Sequence, residues 1–527
     1  MTRTSEPSSN IFNIADEFVS RPAKEHPDKL AVLGVEREAS YAQVETEVNR
    51  VARALRDSGC NPGDRVLIAL PDSVEFIAAF FGAAKIGAIA VPVNSTARAA
   101  DYRHYLSNSG ARFAMVHASI LPEFVSGIAA GTLELVVVFG RTVSRLQSPA
   151  RKIVYADYWL PAGGSAAETY PTTATDAAFF LYTSGSGGTP KAAVHRHRDM
   201  LVTSQNYARG VLGLRADDRM FSISKLYFAY GLGNGMYFPL FFGASTVLYP
   251  DRPRPDRVAQ LVAQYRPTVF FAVPTFYAAL LREAEQGLKV DFSSVRIAVS
   301  AGESLPAEIF ERFRETFGLE ILDGIGSTEM LHVFLSVRPG EARPGTCGRE
   351  VPGYEARIVD EEREPVADGE IGNLWVKGES AFAEYWQIPE LTARVKQDGW
   401  VFTGDKFSRD AEGFYHYAGR ADDMMKVSGM WVSPGEVENA LLAHPAIAEC
   451  AVVGLADALG LVRPVAFIVL RAGLTNPAGG LDSEINGWLH TRLVGFKCPH
   501  EFRFVSELPK TATGKIQRFL LRSSSPE

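Results

Sequence analysis

From residue 11 to about 170, amphipathic stretches with apolar positions three and four apart alternate with short apolar runs. The segment YAQVETEVNRVARALRDSG (41–59) has the helical period. It is followed by RVLIAL (65–70), a second helix over 74–84, and AIAVPV (88–93). Strands alternating with helices in this way predict parallel sheets with helical crossovers. The pattern resumes in ASTVLY (244–249), a helix near 257–264, TVFFAV (268–273) and VRIAVSAG (295–302). After about 340 the period shortens. EARIVD, IGNLWVKG and GFYHYAGR, separated by Gly and Asp turns, predict antiparallel β structure. Beyond Arg420, EVENALLAHP, IAECAVVGLAD, PVAFIVL and SEINGWLHTRL predict a small unit of helix, strand, strand, helix.

Two apolar stretches exceed an ordinary element. Residues 76–93 contain Lys85 and Pro92 and predict a buried helix running into a strand. Residues 228–249 carry no charge and are long enough to span a bilayer. Gly231, Gly233, Gly235, Gly243, Asn234 and Pro239 break that run, which argues for a buried core or pocket wall instead.

Composition narrows the function. With 54 Lys+Arg against 61 Asp+Glu, the net charge is −7. A dedicated nucleic-acid binder usually carries a strong basic excess, although one nucleotide needs none. Four cysteines in 527 residues, Cys60, Cys347, Cys450 and Cys498, form no C-x-x-C. They suit neither a disulfide scaffold nor structural zinc. The N-terminus, MTRTSEPSSNIFNIADEF, lacks a signal-peptide apolar core, and residues 1–10 read as a disordered tail. The expected compartment is the cytoplasm, with no membrane partner.

The strongest local signal is FFLYTSGSGGTPKAAVH (179–195). An apolar strand runs into Thr183, Ser184, Gly185, Ser186, Gly187, Gly188, Thr189, Pro190 and Lys191. Glycines let the backbone approach a ligand, and hydroxyls with a lysine add donors and positive charge, as a polyphosphate requires. A polar surface loop is the other reading. Pro190 and Ala192 rule out a Walker A loop. H-E-x-x-H, G-x-G-x-x-G and G-x-S-x-G are all absent.

Four more segments carry chemistry. In DGIGSTE (323–329), Thr328 suits a phosphate and Glu329 suits Mg²⁺, a cation that takes oxygen ligands. FTGD (402–405) puts Asp405 on a tight turn, within reach of ribose hydroxyls or as a turn cap. GRADDMMKVSGMWVSPGEVE (419–438) is dense in charge and glycine. PKTATGK (509–515) brings Lys515 near the end of the chain.

In this order and spacing the set resembles the acyl-adenylate-forming superfamily over about residues 12–520. KLYFAYGLGN (225–234), DGIGSTEMLH (323–332) and KVSGMWVSP (426–434) look most like its benzoate–CoA ligase subgroup. The resemblance implies a large α/β N-terminal domain (1–421) of parallel sheets with helical crossovers plus a distorted β-barrel region. A small mobile α+β C-terminal domain (422–527) would carry the catalytic lysine. It also implies ATP, Mg²⁺ and coenzyme A as cofactor and co-substrates, and leaves a homodimer open.

By that resemblance the 183–191 loop wraps the β- and γ-phosphates. Thr328 and Glu329 serve the α-phosphate and the metal, and Asp323 sits in the adenine region. Asp405 and Arg420 hold the ribose. Lys515 bridges the substrate carboxylate and the α-phosphate. Asp422 is the hinge, Ser428 and Gly429 border the CoA tunnel, and Phe228 is an aromatic gate. Ala229, Tyr230, Gly231, Ala301, Gly302, Gly326 and His332 line the acid pocket. Three positions depart from the pattern. Gly187 replaces a hydroxyl residue, at a cost of about 1 kcal/mol for one hydrogen bond. Ala192 replaces a common Gly, and Trp431 stands where many members carry Arg.

The acid itself reads as aromatic. Residues 226–238 lack Asp for an α-amine and Lys or Arg for a second carboxylate, and are rich in Tyr and Phe. His332 is the one polar group expected near the ring, so benzoate, hydroxybenzoate and aminobenzoate stay open. So do a CoA ligase for another small carboxylate, an adenylation module loading a carrier protein, and a catalytically silent nucleotide binder.

Overall fold

The computed structural model describes residues 11–129, 133–140, 150, 152–163, 166–184, 189–421, 423–427, 430–456, 461–471, 473–474, 480–510 and 516–523. The helix Tyr41–Asp57 starts where Ser40 and Gln43 form a reciprocal capping box. It buries Val44, Val48, Val51 and Leu55, the apolar face seen in the sequence. The helix Val74–Lys85 is capped by Ser73 and almost wholly buried, and it leads into the strand Ile89–Pro92, as expected.

Two large sheets organise the first 350 residues. One has seven strands, in the order Lys152–Tyr155, Leu135–Phe139, Phe113–His117, Arg65–Ala69, Ile89–Pro92, Ala177–Ser184 and Pro190–Arg196. All neighbours are parallel except the last pair, a hairpin in which Thr183 faces Lys191 and Ser184 faces Pro190. The second sheet has nine strands. Its parallel centre includes Arg219–Ser222, Ser245–Leu248, Val269–Ala272, Ile297–Ser300 and Ile321–Gly326. Such sheets bind ligands at the carboxyl ends of their strands. Thr183, Ala301 and Gly326 all lie at such ends.

The stretch 228–249 is protein interior. It folds as the short helix Ala229–Leu232, a π-helical turn Gly233–Tyr237, the helix Phe238–Phe242 and the strand Ser245–Leu248. Among the described residues no helix is long and apolar enough to cross a membrane. Strands Tyr354–Val359, Gly372–Gly378, Lys396–Gln397, Trp400–Arg409 and Tyr415–Arg420 form the antiparallel region. The order along it is Tyr354–Val359, Gly372–Gly378, Trp400–Arg409 and Lys396–Gln397, with Tyr415–Arg420 also paired to Trp400–Arg409.

Beyond it, Ile447–Ala456, Val462–Leu470 and Glu501–Phe504 make a separate three-stranded sheet. Helices Pro434–Leu442 and Gly480–His490 pack against it around Val437, Leu441, Val452, Ile468 and Ile485. Arg282 reaches Glu449 across the two parts at 3.4 Å. All four cysteines are buried free thiols.

Candidate active site

The hairpin of strands Ala177–Ser184 and Pro190–Arg196 gains a third partner. The 383–386 segment runs along Pro190–Arg196, with Val194 N donating to Glu384 O (2.9 Å), Ala383 N to Val194 O (2.7 Å) and Trp386 N to Ala192 O (2.9 Å). The same segment grips the turn that carries Thr328 and Glu329. Phe382 N donates to Glu329 O at 2.7 Å, and Ser380 Oγ donates to Met330 O at 2.8 Å. The Tyr385 hydroxyl donates to Glu329 Oε1 at 2.6 Å. Burial, with the Glu329 charge adding to it, pushes that phenol well above its usual range, so it stays a donor. Lys191 Nζ lies 5.3 Å above the Tyr385 ring. Cationic hairpin and carboxylate-bearing turn therefore meet at one tyrosine.

Asp405 and Arg420 face each other on paired strands and bridge at 3.1 Å. Arg420 also donates to Thr403 O. Gly404 is required between them: its φ is +76°, and a Cβ there would stand 2.8 Å from Arg420 Nη2. Asp405 is buried while half of the Arg420 side chain is open, so the pair presents a fixed carboxylate at an accessible edge.

In the acid-pocket segment, Phe228, Ala229 and Tyr230 are partly buried, while Gly231, Ala301 and His332 are buried. Gly302, at φ +92°, is exposed. Gly326 lets its strand close on the next one, since a Cβ would meet His332 O at 2.4 Å. His332 is 2% exposed, among the rings of Tyr207 (5.2 Å), Tyr230 (5.6 Å) and Phe238 (4.6 Å). Neither ring nitrogen makes a hydrogen bond. Burial pushes the imidazole down to about 3, so it is neutral. Lys225 is committed elsewhere, to Asp72 at 3.6 Å and to the carbonyl of Asp251. Asp323 is buried, and burial pushes its carboxyl up to about 8 against the opposing effect of polar neighbours, Ser300 first among them.

The fold thus gathers Thr183, Lys191, Thr328 and Glu329 around one segment, and brings Tyr230 and Gly326 against His332, while Phe228 packs on Tyr227 and Ala301 follows the strand Ile297–Ser300. Thr189 is exposed beside Pro190. Residues 185–188, Asp422, Ser428, Gly429 and Lys515 lie outside the described residues, as does the disordered-tail expectation for 1–10. The methyl of Ala192, the departure from Gly, is buried in the strand without a positive φ.

One expectation needs correction: His332 is not the sole polar group of the pocket region. The Tyr207 hydroxyl, beside Ser336, and the side-chain amide of Asn234, beside Tyr230, are likewise buried. Tyr207 and Asn234 sit on the π-helical segments Ser204–Arg209 and Gly233–Tyr237. Such segments often mark functional sites, but periodicity does not reveal them. The sequence also missed Tyr385 and His195. The Y-W pair at 385–386 carries no motif signal, and His195 reads as the end of a strand.

Comparison with known proteins places the chain in a family. Residues 19–386 match the AMP-binding enzyme family and residues 436–515 match the AMP-binding enzyme C-terminal domain. The chain is 41% identical to a benzoate–CoA ligase of Thauera aromatica, covering 97% of this chain and 96% of that one. It is 37% identical to a 3-hydroxybenzoate–CoA/4-hydroxybenzoate–CoA ligase of the same organism, over 99% of both. Among solved structures, the anthranilate CoA ligase AuaEII in complex with anthranoyl-AMP superposes with a TM-score of 0.91 at 39% identity, covering 98% of each chain. A benzoate CoA ligase from Burkholderia xenovorans LB400 gives 0.87 at 40%, covering 97% of this chain and 100% of that one. With the family model matched over residues 19–386 and relatives about 40% identical over nearly the whole length, the chain belongs to the AMP-binding enzyme family.

Proposed function

We propose that the protein is an AMP-forming ligase that joins an aromatic carboxylic acid to coenzyme A through an aroyl-adenylate. The observation that supports the acid class is the aromatic cluster in which the rings of Tyr207, Tyr230 and Phe238 surround a neutral His332, while the nearby Lys225 is tied to Asp72. The relatives named above act on benzoate, hydroxybenzoates and anthranilate, in keeping with it.

A carboxylate is a poor acylating agent because its leaving group would be oxide. Its oxygen attacks the α-phosphorus of ATP, and pyrophosphate leaves. No general base is needed, since the acid is already ionised. Catalysis is positioning and charge neutralisation. The hairpin around Thr183 and Lys191 holds the outgoing phosphates, Thr328 the α-phosphate, and Asp405 with Arg420 the ribose. Glu329 offers oxygen donors of the type a hard cation takes, with Oε1 oriented by Tyr385, so Mg²⁺ fits there and would neutralise phosphate charge. Lys515, from the C-terminal domain, aligns carboxylate and phosphate. The CoA thiolate then attacks the acyl carbonyl and AMP departs. Turning about Asp422, the lid replaces Lys515 with the CoA-side loop of Ser428 and Gly429.

A finer reading concerns the ring. Buried polar atoms are costly to leave unpaired, and His332, Asn234 and Tyr207 bring several near one pocket. They favour a hydroxyl- or amino-substituted benzoate over benzoate itself. The test is a panel of benzoate, its three hydroxy and three amino derivatives, and octanoate, assayed for AMP release with and without CoA. CoA-dependent release with an aromatic acid ahead of octanoate is expected. Release indifferent to CoA would indicate a loading module, and octanoate ahead of every aromatic acid would overturn the acid class.

A further inference from the structure

The turn that carries Thr328 and Glu329 is strained. Leu331 has φ +67°, in the left-handed region, where a residue with a Cβ pays about 1–2 kcal/mol. Such strain persists only where the surroundings over-determine it. Leu331 N donates back to Thr328 O at 3.1 Å, and Met330 N donates to Ser327 Oγ at 3.2 Å. Phe382 and Ser380 hold the next two carbonyls, as described. Thr328 O also accepts from His195 Nε2 at 2.8 Å. His195 stands on the returning strand of the phosphate hairpin, four residues after Lys191. Its Nδ1 lies 3.1 Å from Asp199 Oδ2, and both side chains are fully buried. Phe179, on the outgoing strand, stacks on the ring at 5.2 Å and 17°. A carbonyl acceptor requires Nε2 to carry hydrogen, so the ring's donor direction is set by its partners. Asp199 is itself anchored by Arg196, whose backbone N–H and guanidinium both reach it.

We propose that His195 is a positioning residue that couples the two phosphate-binding elements. It fixes the Thr328 carbonyl, and with it the direction of Thr328 and Glu329, relative to the hairpin loop that receives the leaving phosphates. Asp199 and Phe179 hold the imidazole in that pose. The proposal rests on the ATP-dependent reading above. It predicts an effect confined to the half-reaction that uses ATP.

His195→Phe keeps the stack on Phe179 and loses the donor. His195→Gln places an amide N–H close to the Nε2 position. Two half-reactions are measured separately: aromatic-acid-dependent ATP–pyrophosphate exchange, and thioester formation from supplied benzoyl-AMP and CoA. The rise in melting temperature with Mg·ATP is recorded for each protein, because it needs no knowledge of the acid. His195→Phe should lower kcat/KM for ATP in exchange by about tenfold or more, the effect of one lost hydrogen bond. It should shrink the Mg·ATP shift and leave thioester formation within about threefold of wild type, the margin of about 0.7 kcal/mol. His195→Gln should restore most of the loss. Equal losses in both half-reactions, or a Gln variant no better than Phe, would reduce His195 to a packing residue and overturn the proposal. Should His195→Phe fail to fold, Asp199→Asn tests the same arrangement: a loss confined to exchange supports it, and unchanged exchange refutes it. A wild-type protein with neither exchange nor a Mg·ATP shift would instead bring down the ATP reading, and the proposal with it.

Discussion

Asp323→Asn tests the electrostatics of the site's interior. Asp323 is buried at the end of a parallel strand, with Cys347 Sγ 3.9 Å from Oδ2 and Ser300 beside the carboxyl. Burial raises its carboxyl from about 3.8 to about 8. Between those values the unfolded chain has released the proton and the native protein holds it. The native state then binds more protons, so stability falls as pH rises. The contribution is intact below pH 3.8 and lost progressively up to about pH 8. Each pH unit is worth about 1.4 kcal/mol, so at pH 7 the carboxyl costs the fold about 4 kcal/mol that an amide of the same size does not. The Asn side chain brings its own unpaired N–H, at about 1–3 kcal/mol. The net gain at pH 7 is therefore small, and the pH dependence is the cleaner readout. In nucleotide-free urea titrations at pH 5, 6, 7 and 8, the stability of Asp323→Asn relative to wild type should climb by about 1.4 kcal/mol per unit, about 4 kcal/mol in all. Tryptophan fluorescence reports on the same domain, since Trp386 packs on Phe180 at 5.1 Å. Parallel curves for the two proteins would refute the argument by showing that Asp323 is ionised in the folded state throughout this range.

Tyr385→Phe keeps the ring under Lys191 and removes the hydrogen bond to Glu329, worth about 1.5–3 kcal/mol to a charged acceptor. Pyrophosphate exchange should fall by roughly ten- to a hundredfold and need more Mg²⁺ for half-maximal rate; unchanged Mg²⁺ dependence would remove Tyr385 from the site. Gly233→Ala puts a Cβ 2.6 Å from His332 Cδ2 in a ring cluster with no room to give. Overpacking of about 1–3 kcal/mol should raise KM for the aromatic acid while leaving KM for ATP alone, and steady-state kinetics with each substrate varied would expose a wrong pocket assignment. In acid, His332 and His197, lowered by burial to about 3 and about 4, stay neutral in the fold while the unfolded chain protonates near pH 6.5. Their stabilising contribution is full above pH 6.5 and is lost as pH falls towards 4. His332→Gln should therefore flatten the loss of stability between pH 6.5 and 4.5 by about 1.4 kcal/mol per unit, and an unaltered slope would contradict the neutral assignment.

Much of the fold was legible because its signals are local. Strand and helix periods around 41–93 and 244–302 depend on which face is buried, and burial writes itself into the order of residues. The hairpin's first strand was legible for the same reason: its apolar run precedes the glycine-rich stretch. The run 228–249 read correctly as interior because its glycines and proline break any continuous span. The pocket's polar groups were not legible. Asn234 is bland in sequence, and becomes chemical only because the fold buries its amide beside Tyr230 and His332. Two π-helical segments present it and Tyr207, and a π turn leaves no period to read.

Linear order by itself thus determined the alternation of elements, and it proposed the loop at 183–191 and the Thr328, Glu329, Asp405 and Arg420 set. Tertiary structure alone decided who holds them. Tyr385 meets Glu329 across 56 residues, and His195 meets Thr328 across 133. The physical reason is range. A backbone turn or an amphipathic face is specified by residues a few positions apart, whereas the direction of a catalytic carboxylate is specified by hydrogen bonds between strands that only folding brings side by side.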